Sequence, residues 1–135
     1  VALELILTGP PITKKNSQRI ITVHGRPRVI PSAQYTRYER DCIAQLARYR
    51  TRAIDTPVNI ACVYYMPTRR KVDLTNLNES IHDILVRAGI LADDNRDIIA
   101  STDGSRVYYD KLLPRVEITI MPAERGYQQW AKKSK

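Results

Sequence analysis

The stretch Val58-Asn59-Ile60-Ala61-Cys62-Val63-Tyr64-Tyr65-Met66, closed by Pro67, decides how this chain folds. Alternation puts Val58, Ile60, Cys62, Tyr64 and Met66 on one face and Ala61, Val63 and Tyr65 on the other. Apolar side chains on both faces predict a strand inside a sheet, and Pro67 stops it. Downstream, Leu77, Ile81, Ile84, Leu85 and Ala88 fall on one stripe at ~100° per residue. That spacing predicts a helix over 75–88 lying on the sheet, with Gly89 as its C′ stop.

Working outward, residues 2–8 read as a first strand ended by Gly9-Pro10-Pro11, followed by a basic polar loop, Thr13 to Arg19. Residues 19–23 and 26–30 form a hairpin about His24-Gly25, with Pro27 restricting the second arm to an edge. Ser32 is an N-cap for a helix over 34–51, whose Tyr35, Tyr38, Cys42, Leu46 and Tyr49 recur at core spacing. Its opposite face carries Arg37, Arg40 and Arg48. After an acidic turn at 92–95, residues 97–102 and 105–110 are β-like about an Asp103-Gly104 turn, and 115–121 alternates as a final strand. The expected class is α+β (α/β-like): a single mixed sheet of about four strands with two helices, in the order β-(hairpin)-α-β-α-β-β. One domain, 1–122, is expected, followed by a basic C-terminal tail, 123–135.

Composition narrows the partners. The 135 residues hold 22 Lys+Arg against 14 Asp+Glu, a net charge of +8, and the pI is about 9.7. Such an excess favours a polyanion, nucleic acid first and an acidic membrane surface second. No uncharged apolar run approaches the ~18–20 residues of a membrane span. Val1–Leu7 carries Glu4 inside its apolar stretch and lacks the form of a secretory signal. Cys42 and Cys62 lie in apolar-periodic stretches without a CxxC or a nearby His, so they read as core thiols of a reducing compartment, although a single Cys42–Cys62 bridge stays open. No GxSxG, HExxH, P-loop or GxGxxG pattern appears.

The chemistry-bearing segment runs from Thr68 to Asn95. Arg69, Arg70 and Lys71 leave the central strand, Asp73, Asn76 and Glu79 open the helix, and Asp93-Asp94-Asn95 lies beyond it. Read blandly, Asp73 and Asn76 are helix-entry residues, Asn76 with Glu79 makes a capping box, and Asp93–Asn95 is a turn. Read as chemistry, carboxylates clustered on an otherwise basic protein suit a hard divalent cation set against a DNA backbone. Asn76, Glu79 and Asp83 share a polar stripe of the helix, away from Leu77 and Ile81. A helix of about fourteen residues is ~21 Å long, and Ala88 to Asp94 spans at most ~20 Å. Asp94 therefore approaches Asp73 only if the chain doubles back along the helix; otherwise a second subunit completes the site. His82 points away from the stripe and reads as structural, and His24 occupies a turn.

The run Arg69-Arg70-Lys71-x-Asp73-Leu74-x-Asn76-Leu77, the helix with Asp83-Ile84-Leu85, and Ala88-Gly89-x-x-x-Asp93-Asp94 resemble the RusA-type Holliday-junction resolvases. The early Pro10-Pro11-x-x-Lys14-Lys15-Asn16-Ser17 loop is similar to that family's N-terminal pattern, and the likeness covers about residues 5–121. It implies a homodimeric, Mg²⁺-dependent endonuclease (Mn²⁺ substituting) that nicks four-way DNA junctions in recombination and repair, in the cytoplasm of a bacterial or phage-infected cell, with no membrane partner. By position, Asp73 and Asp94 match catalytic, metal-ligating aspartates, with Asp93 beside them. Lys14, Lys15, Asn16, Arg19, Arg69, Arg70, Lys71 and Asn76 are the expected DNA contacts. Two positions depart. Thr75 stands where the best-known members have an aspartate, and Glu79 where they have a lysine. A threonine hydroxyl is a poor anionic ligand, so Glu79 or Asp83 is the expected replacement catalytic carboxylate. The alternative is a DNA-binding module with a degenerate site.

Overall fold

The computed structural model describes residues 2–15, 18–49 and 52–123. Its elements are β1 (Leu3–Thr8), β2 (Gln18–Val23), β3 (Arg26–Pro31), α1 (Ala33–Leu46), β4 (Val58–Met66), α2 (Leu74–Arg87), β5 (Ile99–Ser101), β6 (Arg106–Tyr109) and β7 (Arg115–Pro122). The class is α+β, as the hydrophobic periods predict.

β4 is interior. It pairs antiparallel with β7 from Val58↔Pro122 to Tyr65↔Arg115, and β7 pairs antiparallel with β1 from Leu3↔Ile120 to Thr8↔Arg115. The other edge of β4 carries two short parallel partners in succession, β5 opposite Val58 and β6 opposite Val63–Met66. The sheet thus has five strands where about four are expected, because one edge position is split between two. The split falls at Asp103-Gly104, where φ is +91° at Gly104 and a Cβ would meet that of Ala61 at 3.4 Å. Asn59 pins the turn: its Oδ1 accepts from Ser101 Oγ (2.6 Å) and from the Asp103 N–H (2.8 Å).

The inner sheet face holds the core. Ile60, Cys62 and Tyr64 of β4, Leu5 and Leu7 of β1, and Val116, Ile118 and Ile120 of β7 are buried against Tyr35, Tyr38, Cys42 and Leu46 of α1 and Leu77, Ile81, Ile84 and Leu85 of α2. Tyr64, fully buried, donates its hydroxyl proton to Asn78 Oδ1 at 2.7 Å. On the outer face Asn59, Ala61, Val63 and Tyr65 are only half-buried, and Ile6 and Met121 are half-exposed. β4 is therefore central by pairing, while helices cover one of its faces.

Local chemistry sets the helix ends. Ser32 Oγ accepts from the Tyr35 N–H (3.1 Å), as an N-cap should. α1 stops at Leu46, its last core residue, and tightens into a 3₁₀ turn at Ala47–Tyr49; the expected extension to residue 51 runs beyond the described residues. α2 ends in a Schellman motif, with Gly89 N–H on Val86 O (3.0 Å), Ile90 N–H on Leu85 O (2.9 Å) and φ +79° at Gly89. The β2–β3 hairpin is a separate two-stranded sheet, its tip His24-Gly25 holding positive φ at both residues (51° and 74°) as a primed turn requires. Cys42 and Cys62 are free and buried, their thiols pushed up by burial to about 11 and about 12. Among the described residues no helix is long and apolar enough to cross a membrane. The expected basic tail lies outside them from residue 124 on.

Candidate active site

The N-terminus of α2 faces three things: the end of β4, the loop after β1, and the segment returning from Gly89. Asp73 is its N-cap. The carboxylate Oδ1 accepts from the Thr75 N–H (2.8 Å) and the Asn76 N–H (3.4 Å), so its negative charge sits on the positive end of the helix. The capping box expected of Asn76 and Glu79 is not used, because the helix already starts at Leu74 with Asp73 as its cap, which leaves Asn76 inside the first turn.

One turn further, Asn76, Glu79 and Asp83 line a cleft of about 220 Å³ with Ser80, Gln18, Lys14, Lys15 and Asp94. Asp94 comes from beyond the C-terminus of α2, yet shares this space with Asn76 of the first turn. The returning segment thus runs back along the helix, guided by the bridge between Ile54 and Leu91 and by the Ile54 N–H on Ile90 O (2.9 Å). Asp94 is held above the usual carboxylate range, first by burial, then by its hydrogen bond with Asp93 and the negative charges of Asp93 and Asp83. A cation in the cleft would relieve that repulsion.

Asp93 is exposed and occupied as a turn residue, accepting from the Asp94 N–H (2.7 Å) and from Asn95 Nδ2 (3.2 Å). Asp73, exposed as well, does not line the cleft. The carboxylates that share the cleft are Glu79, Asp83 and Asp94. Among the described residues no group of three His, Cys, Asp or Glu side chains is close enough to cage a metal by itself.

Two lysines instead stand over the acids. Lys14 Nζ is 3.8 Å from Asp83 Oδ2, and Lys15 Nζ is 3.5 Å from Glu79 Oε2. Both pairs are partly exposed, worth roughly 0.2–1 kcal/mol each, and so are easily exchanged. Arg87 also reaches Asp83 at 3.1 Å and Glu39 at 3.6 Å.

The latch for this loop is a residue that sequence reasoning passes over. Ser80, buried, accepts the Lys14 backbone N–H at 2.9 Å and donates to Asn76 O at 3.0 Å. A signal for it exists: Ser80 is the one hydroxyl on the stripe of Leu77, Ile81 and Ile84.

The remaining expected residues that the structure describes do not line the cleft. Arg69, Arg70 and Lys71 are exposed on the strand-to-helix connection, with Arg70 and Lys71 in a shallow groove beside Thr13. Arg19 is exposed on β2. Asn16 lies outside the described residues. His82 is away from the cleft, its imidazole pushed down to about 4 by burial and its Nε2 without a partner. Tyr35 and Tyr38 are core residues, as their spacing predicts.

The sequence of this chain matches a family of nucleases. Residues 8–121 fit the family model described as Endodeoxyribonuclease RusA. A relative from Aquifex aeolicus (strain VF5), named crossover junction endodeoxyribonuclease RusA, is 31% identical over 94 residues, covering 69% of this chain and 72% of its own. The matched span contains the strand, the helix and the returning segment that build the cleft. On that match the chain belongs to the RusA family of endodeoxyribonucleases.

Proposed function

We propose that the protein nicks four-way DNA junctions by hydrolysing one phosphodiester bond at each of two symmetry-related cuts, as a homodimer, with Mg²⁺ (or Mn²⁺) in the cleft. The observation that carries the reading is the cleft itself: Glu79, Asp83 and Asp94 gathered beneath the rim lysines Lys14 and Lys15. A phosphate chain is drawn in by the rim, and the acids are kept for a hard cation.

The donor set fits such an ion. Carboxylate oxygens of Asp94, Asp83 and Glu79 and the amide oxygen of Asn76 are hard ligands, and Asp73 keeps Oδ2 beyond its capping bonds. Mg²⁺ commonly takes one or two carboxylates and completes its shell with water and substrate phosphate, which suits a site lacking a three-carboxylate cage. When bound, the ion supplies charge relief to the phosphate and acidifies water at neutral pH.

The chain's own residues do the rest. An incoming phosphate competes for the ammonium groups of Lys14 and Lys15, so their carboxylate partners are released as the DNA arrives. Arg69, Arg70, Lys71 and Arg19 hold the flanking backbone, giving salt-sensitive affinity. Asn76, at the helix start, is placed to orient a phosphate oxygen through its amide. Asp94 is the proposed metal ligand within the cleft, with Asp83 and Glu79 as the carboxylates that stand in for the one absent at Thr75, while Asp73 and Asp93, outside the cleft lining, are proposed as outer ligands of the same ion. A twofold dimer suits a substrate that must be cut twice at matching positions, and the bacterial or phage-infected cytoplasm is the compartment that supplies it.

The test is nicking of a synthetic four-way junction with and without Mg²⁺. Divalent-dependent cuts on the junction, with linear duplex largely spared and with loss of cutting in Asp94→Asn, are expected. Equal cutting of both substrates removes the junction assignment. Salt-dependent junction binding without any cutting, and no Mn²⁺-induced rise in melting temperature, would identify a degenerate DNA-binding module instead.

A further inference from the structure

We propose that Tyr109, with Arg69 stacked on its ring, is a binding site for an unpaired nucleobase at the branch point of the DNA. The inference rests on the junction reading above and deepens it, naming a group that holds the branched substrate away from the cutting cleft.

Among the described residues β6 is an edge strand paired with β4 alone, and its last two residues are tyrosines left 49% and 40% exposed. Their rings are used differently. Tyr108 lies against Tyr65, centroids 5.7 Å apart, and Tyr65 is already covered by the Arg115 guanidinium at 3.8 Å. Tyr109, on the other side of the strand, has Arg69 Cζ 4.3 Å from its ring centroid. The pair borders a groove of about 310 Å³ with Met66, Thr68 and Arg70.

That groove adjoins one that leads toward the cleft. It shares Met66, Thr68 and Arg70 with a second groove, whose far wall is Thr13 and Lys71. Thr13 directly precedes Lys14 on the rim of the acid cleft. The path from the acids to Tyr109 is therefore paved by Lys14, Lys71, Arg70 and Arg69, with an exposed aromatic ring at its end.

Cations interleaved with an open aromatic ring suit single-stranded nucleic acid: the cations follow the phosphates, and the ring stacks a base of any identity. A base inside an intact duplex is occupied on both faces by its neighbours. At a crossover the run of stacked bases is interrupted, so extracting a base there costs less than from within a duplex. The site thus contributes selection for branched over linear DNA without reading sequence.

The experiment uses the full chain in EDTA, so that no cutting occurs. A four-way junction carries 2-aminopurine beside the crossover, and a linear duplex carries it at the same sequence position. Wild type should bind the junction more tightly than the duplex and change the 2-aminopurine emission only in the junction. Tyr109→Ala should weaken junction binding about tenfold or more, abolish the emission change and leave duplex binding alone, while Tyr109→Phe restores both junction signals. An unaltered junction-to-duplex ratio in a folded Tyr109→Ala, or an equal weakening on both DNAs, overturns the base site while leaving the junction reading standing. A wild type that does not distinguish the two DNAs overturns both, before any variant is made.

Discussion

Lys14 and Lys15 pair with Asp83 and Glu79, and in the proposed complex a DNA phosphate competes with these acids for them. Removing them with Lys14→Ala and Lys15→Ala together should raise Mn²⁺ affinity of the DNA-free protein, since the cleft then keeps Asp83, Glu79 and Asp94 without their ammonium counter-charges. The same variant should bind the junction more weakly; calorimetry with the metal and a filter-binding assay with DNA read the two arms. His82 gives a second prediction, on stability. Its imidazole titrates near 4 when folded and near ~6.5 when unfolded. Below that upper value the unfolded chain takes up a proton that the folded one refuses, so stability falls as pH drops from about 6.5 to about 4, by roughly 2–3 kcal/mol at most. His82→Leu should flatten urea midpoints across that window. An unchanged pH slope in the variant would assign the destabilisation to the carboxylates instead.

Gly89 connects local backbone geometry to the site. At φ +79° it ends α2 and turns the chain toward Asp94. Gly89→Ala should cost about 1 kcal/mol through the left-handed conformation, and weaken Mn²⁺ binding by displacing Asp94; chemical denaturation and metal titration would separate the two effects. The elements are largely legible in the sequence for the same local reasons. Ser32, Gly89, Pro67 and His24-Gly25 each act on their immediate neighbours, and the Leu77–Ile84 stripe follows from helical angle alone. The polar stripe of Asn76, Glu79 and Asp83 follows from the same angle. Less is visible where distant segments meet. Sequence spacing leaves open whether Asp94 doubles back, and the Ile54–Leu91 bridge answers it. The docking of Lys14 on Ser80 spans 66 positions, and no period in the chain announces it. The division of one sheet edge between β5 and β6 likewise depends on Asn59 capturing a turn far along the chain.

At the level of the whole molecule, the net charge is +8, and four of its cations, Arg125, Lys132, Lys133 and Lys135, fall in the last twelve residues. Removing residues 124–135 should reduce the slope of log affinity against log salt by about 0.9 for each phosphate that the tail neutralises, with fluorescence anisotropy on duplex DNA as the measurement. An unchanged slope would assign all phosphate neutralisation to residues 1–123. Among the described residues the sheet carries its helices on one side, and the opposite side, with Ile6, Val63 and Met121 open to varying degree, is the face offered to a second copy; sedimentation of the DNA-free protein should show a dimer if the proposed assembly forms. Among the described residues the β2–β3 hairpin pairs with no strand of the main sheet. Its tip can therefore carry a fluorophore or a short inserted epitope at little thermodynamic penalty to the body, making it a convenient handle for watching the enzyme approach its substrate in real time.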